Sequence, residues 1–177
     1  MKPGQKFRNA LKNNKPLIIP GTINAYSAKL AELANHNSIY LSGSGVAAAS
    51  YGLPDLGVTT LEDVLIDAKR ITSATSLPLL VDIDTGWGDF DAISNTIIEM
   101  GNANVAAVHI EDQIFDKRCG HRPNKQLVSI DEMQDRLKAA LDAKIDDSFF
   151  IMARTDALAS EGIEKAIERC GKYLDVG

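Results

Sequence analysis

Long apolar runs and cysteines are both scarce in this sequence, and each scarcity excludes a class of protein. No uninterrupted apolar stretch approaches the roughly 20 residues that a helix needs to cross a bilayer. The amino-terminal segment MKPGQKFRNALKNNK is basic but lacks the apolar centre of a signal peptide, so we expect a cytoplasmic location. The two cysteines, Cys119 and Cys170, lie far apart without metal-type spacing, which argues against a disulfide framework and a thiolate zinc site.

Basic residues are also fewer than acidic ones. The chain has 19 lysines and arginines against 24 acidic residues, a net charge of −5, and no basic stripe runs along any predicted helix. We therefore expect neither nucleic acid nor a membrane as a partner. With 177 residues, 45% of them hydrophobic, the composition is that of an ordinary globular protein, and we predict one domain over 1–177 without an internal linker.

Five short and nearly continuous apolar runs predict parallel strands that are covered on both faces. These runs are Leu17–Pro20, Ser38–Leu41, Leu79–Asp84, Val105–Glu111 and Phe149–Arg154. Helical patterns separate or follow them at 26–35, 60–74, 91–100, 130–144 and 161–173. This alternation predicts an α/β fold with a parallel sheet and right-handed crossovers.

Two layouts fit this alternation: an open doubly wound sheet and a (β/α)₈ barrel of the TIM type. The turn after the first predicted strand, Gly21–Asn24, is not a dinucleotide-binding fingerprint. Polar and charged residues recur instead at the carboxyl ends of several strands, where barrel enzymes place their chemistry. We therefore favour the barrel, of which this chain would hold about the first five βα units.

The predicted strand ends bring together residues that suit a cation. Side chains at i and i+2 of a strand point the same way, so Asp82 and Asp84 form one such pair and His109 and Glu111 another. Singly, each has a simpler explanation, since an aspartate caps helices, a histidine sits in a core and Arg154 pairs with a carboxylate. Together, close carboxylates cost free energy unless a cation neutralises them, and oxygen ligands favour Mg²⁺ or Mn²⁺.

Two glycine-containing stretches complete the set of candidate residues. Residues 117–125 hold one cysteine, Cys119, and five basic side chains: Lys117, Arg118, His121, Arg122 and Lys125. Neighbouring cations stabilise a thiolate, although a solvated basic loop with an incidental cysteine is the simpler interpretation. The small residues of Ser42-Gly43-Ser44-Gly45 allow backbone N–H groups to approach an anion closely, but they also suit an ordinary turn.

Four segments together resemble the isocitrate lyase/phosphoenolpyruvate mutase superfamily across essentially the whole chain. They are LSGSGVAAASYGLPDLGVTTLEDVL, LPLLVDIDTGWGD, HIEDQIFDKRCGHRPNK and FIMARTDA. The cysteine loop is similar to that of the lyase branch and is absent from the phosphonate-handling branch. The resemblance implies a carbon–carbon lyase with a (β/α)₈ barrel, a small tricarboxylate substrate and a homotetrameric full-length form.

The resemblance also implies roles for individual residues. Asp84 would ligate Mg²⁺, or Mn²⁺ in its place, with Asp82 and Glu111 close by, partly through water. The substrate-binding residues would be Ser42, Gly43, Ser44, Asp55, Cys119, Gly120 and Arg154. Cys119 would be the general acid on a mobile loop, with His121 beside it as a further catalytic residue. The resemblance does not identify the base, and we name Tyr40 as a candidate from its place near Ser42.

The sequence departs from the family pattern at Ser44, where relatives commonly have glycine, and at Trp87, which replaces a smaller aromatic residue. A complete barrel typically needs about 250 residues, so a second hypothesis remains open. On that hypothesis the polypeptide is a truncated fragment of lyase ancestry that acts as a scaffold or assembly partner and not as an enzyme. A third, an oxaloacetate- or phosphonopyruvate-cleaving relative, is disfavoured by Cys119.

Overall fold

The computed structural model describes residues 1–177, which form four parallel strands and eight α-helices. The strands are β1 Ile39–Leu41, β2 Leu79–Asp82, β3 Ala107–Glu111 and β4 Phe150–Arg154. The helices are α1 Pro3–Asn13, α2 Ala25–Leu33, α3 Gly43–Tyr51, α4 Leu61–Ala74, α5 Phe90–Asn102, α6 Ile130–Asp142, α7 Leu158–Glu161 and α8 Ile163–Leu174. Within this set, every helix falls short of the length and apolarity that a membrane crossing demands.

The four strands lie side by side in chain order, β1-β2-β3-β4, and each neighbouring pair is parallel. A doubly wound sheet would reverse its direction of growth at a switch point, whereas consecutive order is that of a barrel wall. The order therefore agrees with the predicted barrel type.

The predicted first strand, Leu17–Pro20, is wrong as a regular strand. The chain there meets β1 through one isolated parallel bridge between Gly21 and Tyr40, and the Tyr40 N–H donates to the Pro20 carbonyl at 3.0 Å. Pro20 has no N–H of its own to extend a ladder, and Ile18 is 67% exposed. The segment therefore follows the edge of the sheet without joining it.

Predicted helix starts are set by side-chain caps. The Thr60 hydroxyl accepts from the Asp63 N–H at 3.3 Å, and the Asp63 carboxylate accepts in return from the Thr60 N–H at 2.8 Å, a reciprocal capping box for α4. The Ser129 hydroxyl likewise accepts from the Glu132 N–H at 3.1 Å and caps α6. Both helices begin where the sequence predicted, to within one residue.

Three helices were missed by the sequence reasoning: α1, α3 and α7. The stretch Ser42-Gly43-Ser44-Gly45 is not a free loop, because α3 begins at Gly43 and the Ser42 hydroxyl accepts from the Gly45 N–H at 3.3 Å. Helix α1 packs its fully buried Phe7 against Phe150 of β4, with ring centroids 5.4 Å apart.

Strands β2 and β3 are buried on both faces, whereas β4 is only partly covered, and the two faces of the sheet have different neighbours. Leu79 and Val81 of β2 belong to the main core, a cluster of 25 buried residues shared with the flanking helices. Leu80 points the other way, into a small cluster that includes Phe7 of α1. Since side chains alternate along a strand, Asp82 shares the face of Leu80 at the carboxyl end of β2. The polar site therefore stands on the inner face of the sheet, beyond the small cluster.

The contact between α1 and the chain before β4 can be tested with two glycine substitutions. A Cβ on Gly4 would collide with the Ser148 carbonyl and lie 2.8 Å from the Phe149 nitrogen, so Gly4→Ala should lower the free energy of unfolding. We expect a loss of about 1–3 kcal/mol by urea denaturation, as for other overpacked sites. Gly171→Ala, in helix α8 with open space around it, is the matched control and should raise stability by up to about 1 kcal/mol. Equal effects of the two changes would contradict the close packing of α1.

Candidate active site

Two strands end in buried carboxylates, and a third carboxylate follows one of them. Asp82 ends β2, Glu111 ends β3, and both are almost fully buried. Asp84 lies beyond the end of β2 with a left-handed φ of 49°, and its N–H donates to Asp82 Oδ1 at 3.1 Å. Strand alternation therefore explains why His109 and Glu111 share a face, but the position of Asp84 is set by a turn. The predicted reason for the Asp82–Asp84 pairing was wrong, although the two residues are in contact.

Tyr40, Asp82 and His109 form one polar group on neighbouring strands. The Tyr40 hydroxyl lies 3.0 Å from His109 Nε2 and 3.4 Å from Asp82 Oδ2, and His109 Nδ1 lies 3.6 Å from Asp82 Oδ1. Burial, reinforced by Asp82, raises the pKa of Tyr40, and burial lowers the pKa of His109. Both rings are therefore neutral near pH 7. The predicted role of Tyr40 as a base stays a prediction, which its raised pKa does not favour.

Lys117 extends from the cysteine loop into the carboxylate group. Its ammonium nitrogen lies 2.5 Å from Asp84 Oδ1 and 2.8 Å from Asp55 Oδ1, and its side chain is only 6% exposed. Burial opposes the charged form of Lys117, but these two carboxylates prevail and raise its pKa. The sequence reasoning treated Lys117 as one of several basic residues that offset the charge of a bound substrate, whereas the structure makes it the ion-pair partner of two aspartates.

Arg154, the last residue of β4, supplies the second cation of the site. Its Nη1 lies 3.1 Å from Glu111 Oε2, and its Nη2 donates to both oxygens of Asp156 at 3.2 Å. Gly120 of the cysteine loop passes so close that a Cβ at this position would collide with Arg154 Nη2. The loop therefore lies directly over the arginine, and a larger residue at position 120 would require the Arg154 side chain to shift.

Burial dominates the charge balance of the carboxylates. It raises the pKa of Asp84 to about 6, with Asp82 adding to the shift and Lys117 opposing it. It raises the pKa of Glu111 to about 8, against the opposing effects of Arg154 and Lys117. Asp55 differs: burial raises its pKa, but hydrogen bonds from Lys117 and from the Cys119 thiol outweigh this and lower it. Asp84 and Glu111 thus lack sufficient positive charge for full ionisation at pH 7.

Cys119 faces a small cavity at the edge of this group. The cavity, of about 290 Å³, is lined by Pro54, Asp55, Leu56, Arg118, Cys119 and Arg122. Cys119 is partly exposed, and its Sγ lies 3.9 Å from His121 Nδ1. Arg118, His121 and Arg122 are exposed, whereas Lys117 is buried. The basic cluster of the sequence is thus divided between an outward and an inward set.

The start of α3 also faces the carboxylates. The Gly43 N–H donates to Asp82 Oδ2 at 3.4 Å, and a Cβ on Gly43 would lie 3.3 Å from Asp84 Oδ1. Ser42 caps the helix and Ser44 is half-buried in its first turn. This places Gly43 within the site, while binding of a substrate carboxylate by Ser42, Gly43 and Ser44 stays a prediction.

A metal ion was predicted at Asp82, Asp84 and Glu111, and the structure permits a test of that donor set. Asp84 Oδ1 and Glu111 Oε2 are buried and face cations, yet accept no well-directed hydrogen bond. Oxygen donors with unused capacity fit a hard divalent cation. No three His, Cys, Asp or Glu side chains converge closely enough to hold an ion in this arrangement, in which Lys117 occupies the space beside Asp84. Metal ligation therefore stays a prediction, supported by donor chemistry only.

Sequence reasoning missed Gln113, which together with Asp156 connects the parts of the site. Gln113 Nε2 donates to Glu111 Oε1 at 2.9 Å and to Asp156 Oδ2 at 2.7 Å. Gln113 follows Glu111 by two positions, and Asp156 follows Arg154 by two. The i, i+2 argument that groups Asp156 with Arg154 applies equally to Gln113 and Glu111, but the prediction considered only ionisable residues and so left Gln113 out.

Comparisons with known proteins identify the family of the chain. The family model described as phosphoenolpyruvate phosphomutase matches residues 7–177. The chain is 63% identical to the 2-methylisocitrate lyase of Shewanella oneidensis over 98% of this chain and 60% of that protein. It is 60% identical to the 2-methylisocitrate lyase of Vibrio cholerae over 100% of this chain and 58% of that protein. The chain thus spans about 60% of the length of the curated relatives it matches.

Solved structures give the same result at lower identity. A crystal structure of 2,3-dimethylmalate lyase, described as a PEP mutase/isocitrate lyase superfamily member, has a TM-score of 0.92 and 36% identity, over 100% of this chain and 60% of that one. A phosphonopyruvate hydrolase solved with oxalate and Mg²⁺ has a TM-score of 0.86 and 31% identity, over 100% of this chain and 61% of that one.

The double ion pair of Lys117 yields a stability prediction. Lys117→Met removes the ammonium that faces Asp55 and Asp84, so a buried negative charge loses its partner, at a cost of about 3–5 kcal/mol in urea unfolding. The pKa of Asp84 is already raised to about 6, so this carboxyl is protonated at pH 5 and the loss should be smaller there than at pH 8.

Lys165→Met is the matched control, because it removes an exposed pair with Glu168. Its effect should stay below about 1 kcal/mol at either pH. If the two variants unfolded at the same urea concentration, the buried ion pair described for Lys117 would be wrong.

Proposed function

The chain belongs to the phosphoenolpyruvate mutase/isocitrate lyase superfamily, and from this membership we propose that its site cleaves 2-methylisocitrate to pyruvate and succinate. The observation that carries the proposal is the position of Cys119, which lines one cavity together with Asp55, beside the Lys117–Asp84 pair. A thiol at that place is available to a substrate bound over the carboxylates. The identity of 63% to a 2-methylisocitrate lyase supports this substrate above others in the superfamily.

A small tricarboxylate suits the charges of the site. Arg154 and Lys117 face the interior, and Arg118, His121 and Arg122 lie on the loop above, in a chain that is otherwise net negative. These groups would offset the substrate's carboxylates. Asp55 and Gly120 would line the same pocket, and the start of α3 at Ser42, Gly43 and Ser44 would receive one carboxylate.

We propose Mg²⁺, with Mn²⁺ as its alternative, at Asp84, Asp82 and Glu111. Support comes from the two buried carboxylate oxygens without well-directed hydrogen bonds and from the Mg²⁺ in a related phosphonopyruvate hydrolase. When bound, the ion would supply Lewis-acid stabilisation for oxygens on which negative charge develops. The raised pKa values of Asp84 and Glu111 fit a site that needs additional positive charge.

The residues of the chain would then divide the reaction between them. A base accepts the proton of the substrate's tertiary hydroxyl, and that oxygen forms the carbonyl of pyruvate as the adjacent carbon–carbon bond breaks. The electron pair of that bond stays on the succinate half, to which Cys119 donates its thiol proton as general acid. His121, 3.9 Å from the sulfur, is placed to return a proton to it. Tyr40 is the candidate base, with His109 3.0 Å away as the group that could take up its proton.

Closure of the cysteine loop would keep water away from the carbanion. The approach of Gly120 to Arg154 and of Lys117 to Asp84 gives the loop two contacts with the floor of the site.

The remaining proposals concern the cellular location, the pathway and the oligomeric state. We propose a cytoplasmic enzyme of the methylcitrate cycle of propionate breakdown, homotetrameric in its full-length form. The exposed apolar side chains of Tyr26, Leu30 and Leu33 on α2 are suited to a subunit interface.

A scaffold without activity is the second candidate, favoured by one observation. A groove of about 290 Å³, lined almost entirely by apolar residues, runs between β4, α6 and α8 and is open to solvent. A Mg²⁺-dependent pyruvate assay on this chain separates the two, because a folded chain that yields no pyruvate from 2-methylisocitrate would support the scaffold. A panel with 2,3-dimethylmalate and oxaloacetate would separate the lyase from its relatives.

The role of Cys119 is tested by substitution. Cys119→Ser exchanges the thiol for a much weaker acid, so we expect kcat for pyruvate formation to fall by roughly 10²–10⁴-fold with little change in substrate Kd. Cys170→Ser, at the exposed second cysteine on α8, is the control and should leave kcat unchanged. An undiminished kcat in Cys119→Ser would remove the thiol from the mechanism.

The metal site is tested by binding. Asp84→Asn keeps the shape of the side chain but removes its charge, so Mn²⁺ affinity measured by calorimetry or by paramagnetic resonance should fall by about 10–100-fold. Asp91→Asn, in the first turn of α5 and exposed, is the charge-matched control and should bind Mn²⁺ as the wild type does. Equal affinities in the two variants would show that Asp84 is not a ligand.

A further inference from the structure

We infer that Gln113 is a positioning residue that joins the cysteine loop to the Glu111 carboxylate. Gln113 would hold the cysteine loop in the position that the proposed lyase reaction needs, so the inference rests on the proposed function. Its test does not require turnover, because it measures the loop itself.

The Gln113 side chain is a buried connector with four partners. It is 1% exposed, and Nε2 donates to Glu111 Oε1 at 2.9 Å, to the Arg118 carbonyl at 2.9 Å and to Asp156 Oδ2 at 2.7 Å. Its Oε1 accepts from the Arg118 N–H at 3.0 Å. One amide thus holds both backbone groups of the residue before Cys119, the predicted metal ligand Glu111 and the partner of Arg154.

Only an amide matches this set of partners. The two N–H hydrogens of Nε2 serve three acceptors, so one hydrogen is shared, and the oxygen serves the single donor. A carboxylate would place negative charge against Glu111 and Asp156, and an ammonium would have no acceptor for the Arg118 N–H. Asparagine keeps the amide but is one methylene shorter, so it would not reach all four partners.

The backbone of Gln113 is fixed independently of its side chain. Gln113 and Leu127 form an antiparallel bridge at the base of the loop, and the Ile114 N–H donates to the Gln126 carbonyl at 3.0 Å. The Gln113 carbonyl accepts from Arg136 Nη1 of α6 at 2.9 Å. The side chain therefore extends from a rigid point, and a change in its amide acts on the loop tip and on Glu111, not on the loop base.

Gln113 and Lys117 hold the loop in different ways. Lys117 is attached by charge to Asp55 and Asp84 through a long flexible side chain. The Gln113 amide instead forms hydrogen bonds with both the carbonyl and the N–H of Arg118. These bonds fix the orientation of the backbone that precedes Cys119. Removing the amide should therefore release Cys119 while leaving the ion pair and the sheet in place.

The experiment compares the alkylation rates of Cys119 and Cys170 by iodoacetamide in the 177-residue chain, read by peptide mass spectrometry. Gln113→Met keeps the side-chain length and removes every side-chain hydrogen bond of residue 113. Gln113→Glu keeps only the oxygen that accepts from the Arg118 N–H. In both we expect the Cys119-to-Cys170 rate ratio to rise roughly tenfold, since several hydrogen bonds that hold the closed loop are lost. Gln134→Glu, which removes an exposed bond to the Lys172 carbonyl, is the control and should leave the ratio unchanged.

A residue with a purely structural role would lower the melting temperature without changing that ratio, so a folded Gln113→Met with the wild-type ratio overturns the inference. Hydrogen exchange of the wild type tests it without any variant. The Arg118 N–H is bonded to Gln113, whereas the N–H groups of Cys119 and Gly120 have no partner in the structure. The amide hydrogen of Arg118 should exchange more slowly than those of Cys119 and Gly120, and equal exchange rates would also overturn the inference. A chain without lyase activity could still give the expected alkylation ratio and hydrogen exchange. The proposed function and the role of Gln113 can therefore be disproved independently.

Discussion

The balance between buried carboxylates and three cations, Lys117, Lys125 and Arg154, is the constraint on which the rest of this site depends. Asp82, Asp84, Glu111 and Asp156 are all buried at the carboxyl ends of parallel strands or just beyond them. Burial raises the pKa of Asp84 and of Glu111, and the nearby cations Lys117 and Arg154 oppose this only in part. A site of this kind is stable only with further positive charge or with retained protons, which is the physical argument behind the proposed cation.

The cysteine loop and the sheet depend on each other for this reason. Lys117 comes from the loop and its partners Asp55 and Asp84 from the body of the protein, while Gln113 links Glu111 to the loop backbone. A loop displaced from the site takes a cation away from the carboxylates. Conversely, any ion that binds the carboxylates competes with Lys117 for Asp84. Loop position and the charge state of the carboxylates are therefore linked.

The predictability of each element follows from how local its cause is. Helices α4 and α6 were predicted closely, because Thr60 and Ser129 act within a few residues of their own positions. Helix α3 was missed because its first turn is composed of serine and glycine, which are typical of turns. The Leu17–Pro20 segment has the apolar run of a strand, but the chain there meets β1 through one bridge only. Whether a ladder forms depends on the residues that lie beside the segment in the fold, which the local sequence does not specify.

The residues of the candidate site divide in the same way. The sequence by itself determined the strand-helix alternation, the carboxylates and His109 at the strand ends, and the cysteine loop, since these depend on periodicity and on residue type along a short stretch. Only the tertiary structure decided that Lys117 faces inward between Asp55 and Asp84, that Asp84 owes its place to a left-handed turn, and that Gln113 connects Glu111 to Arg118. Those arrangements depend on which groups burial brings together from distant parts of the chain, and the free energy of a buried charge or amide is set by such partners and not by sequence neighbours.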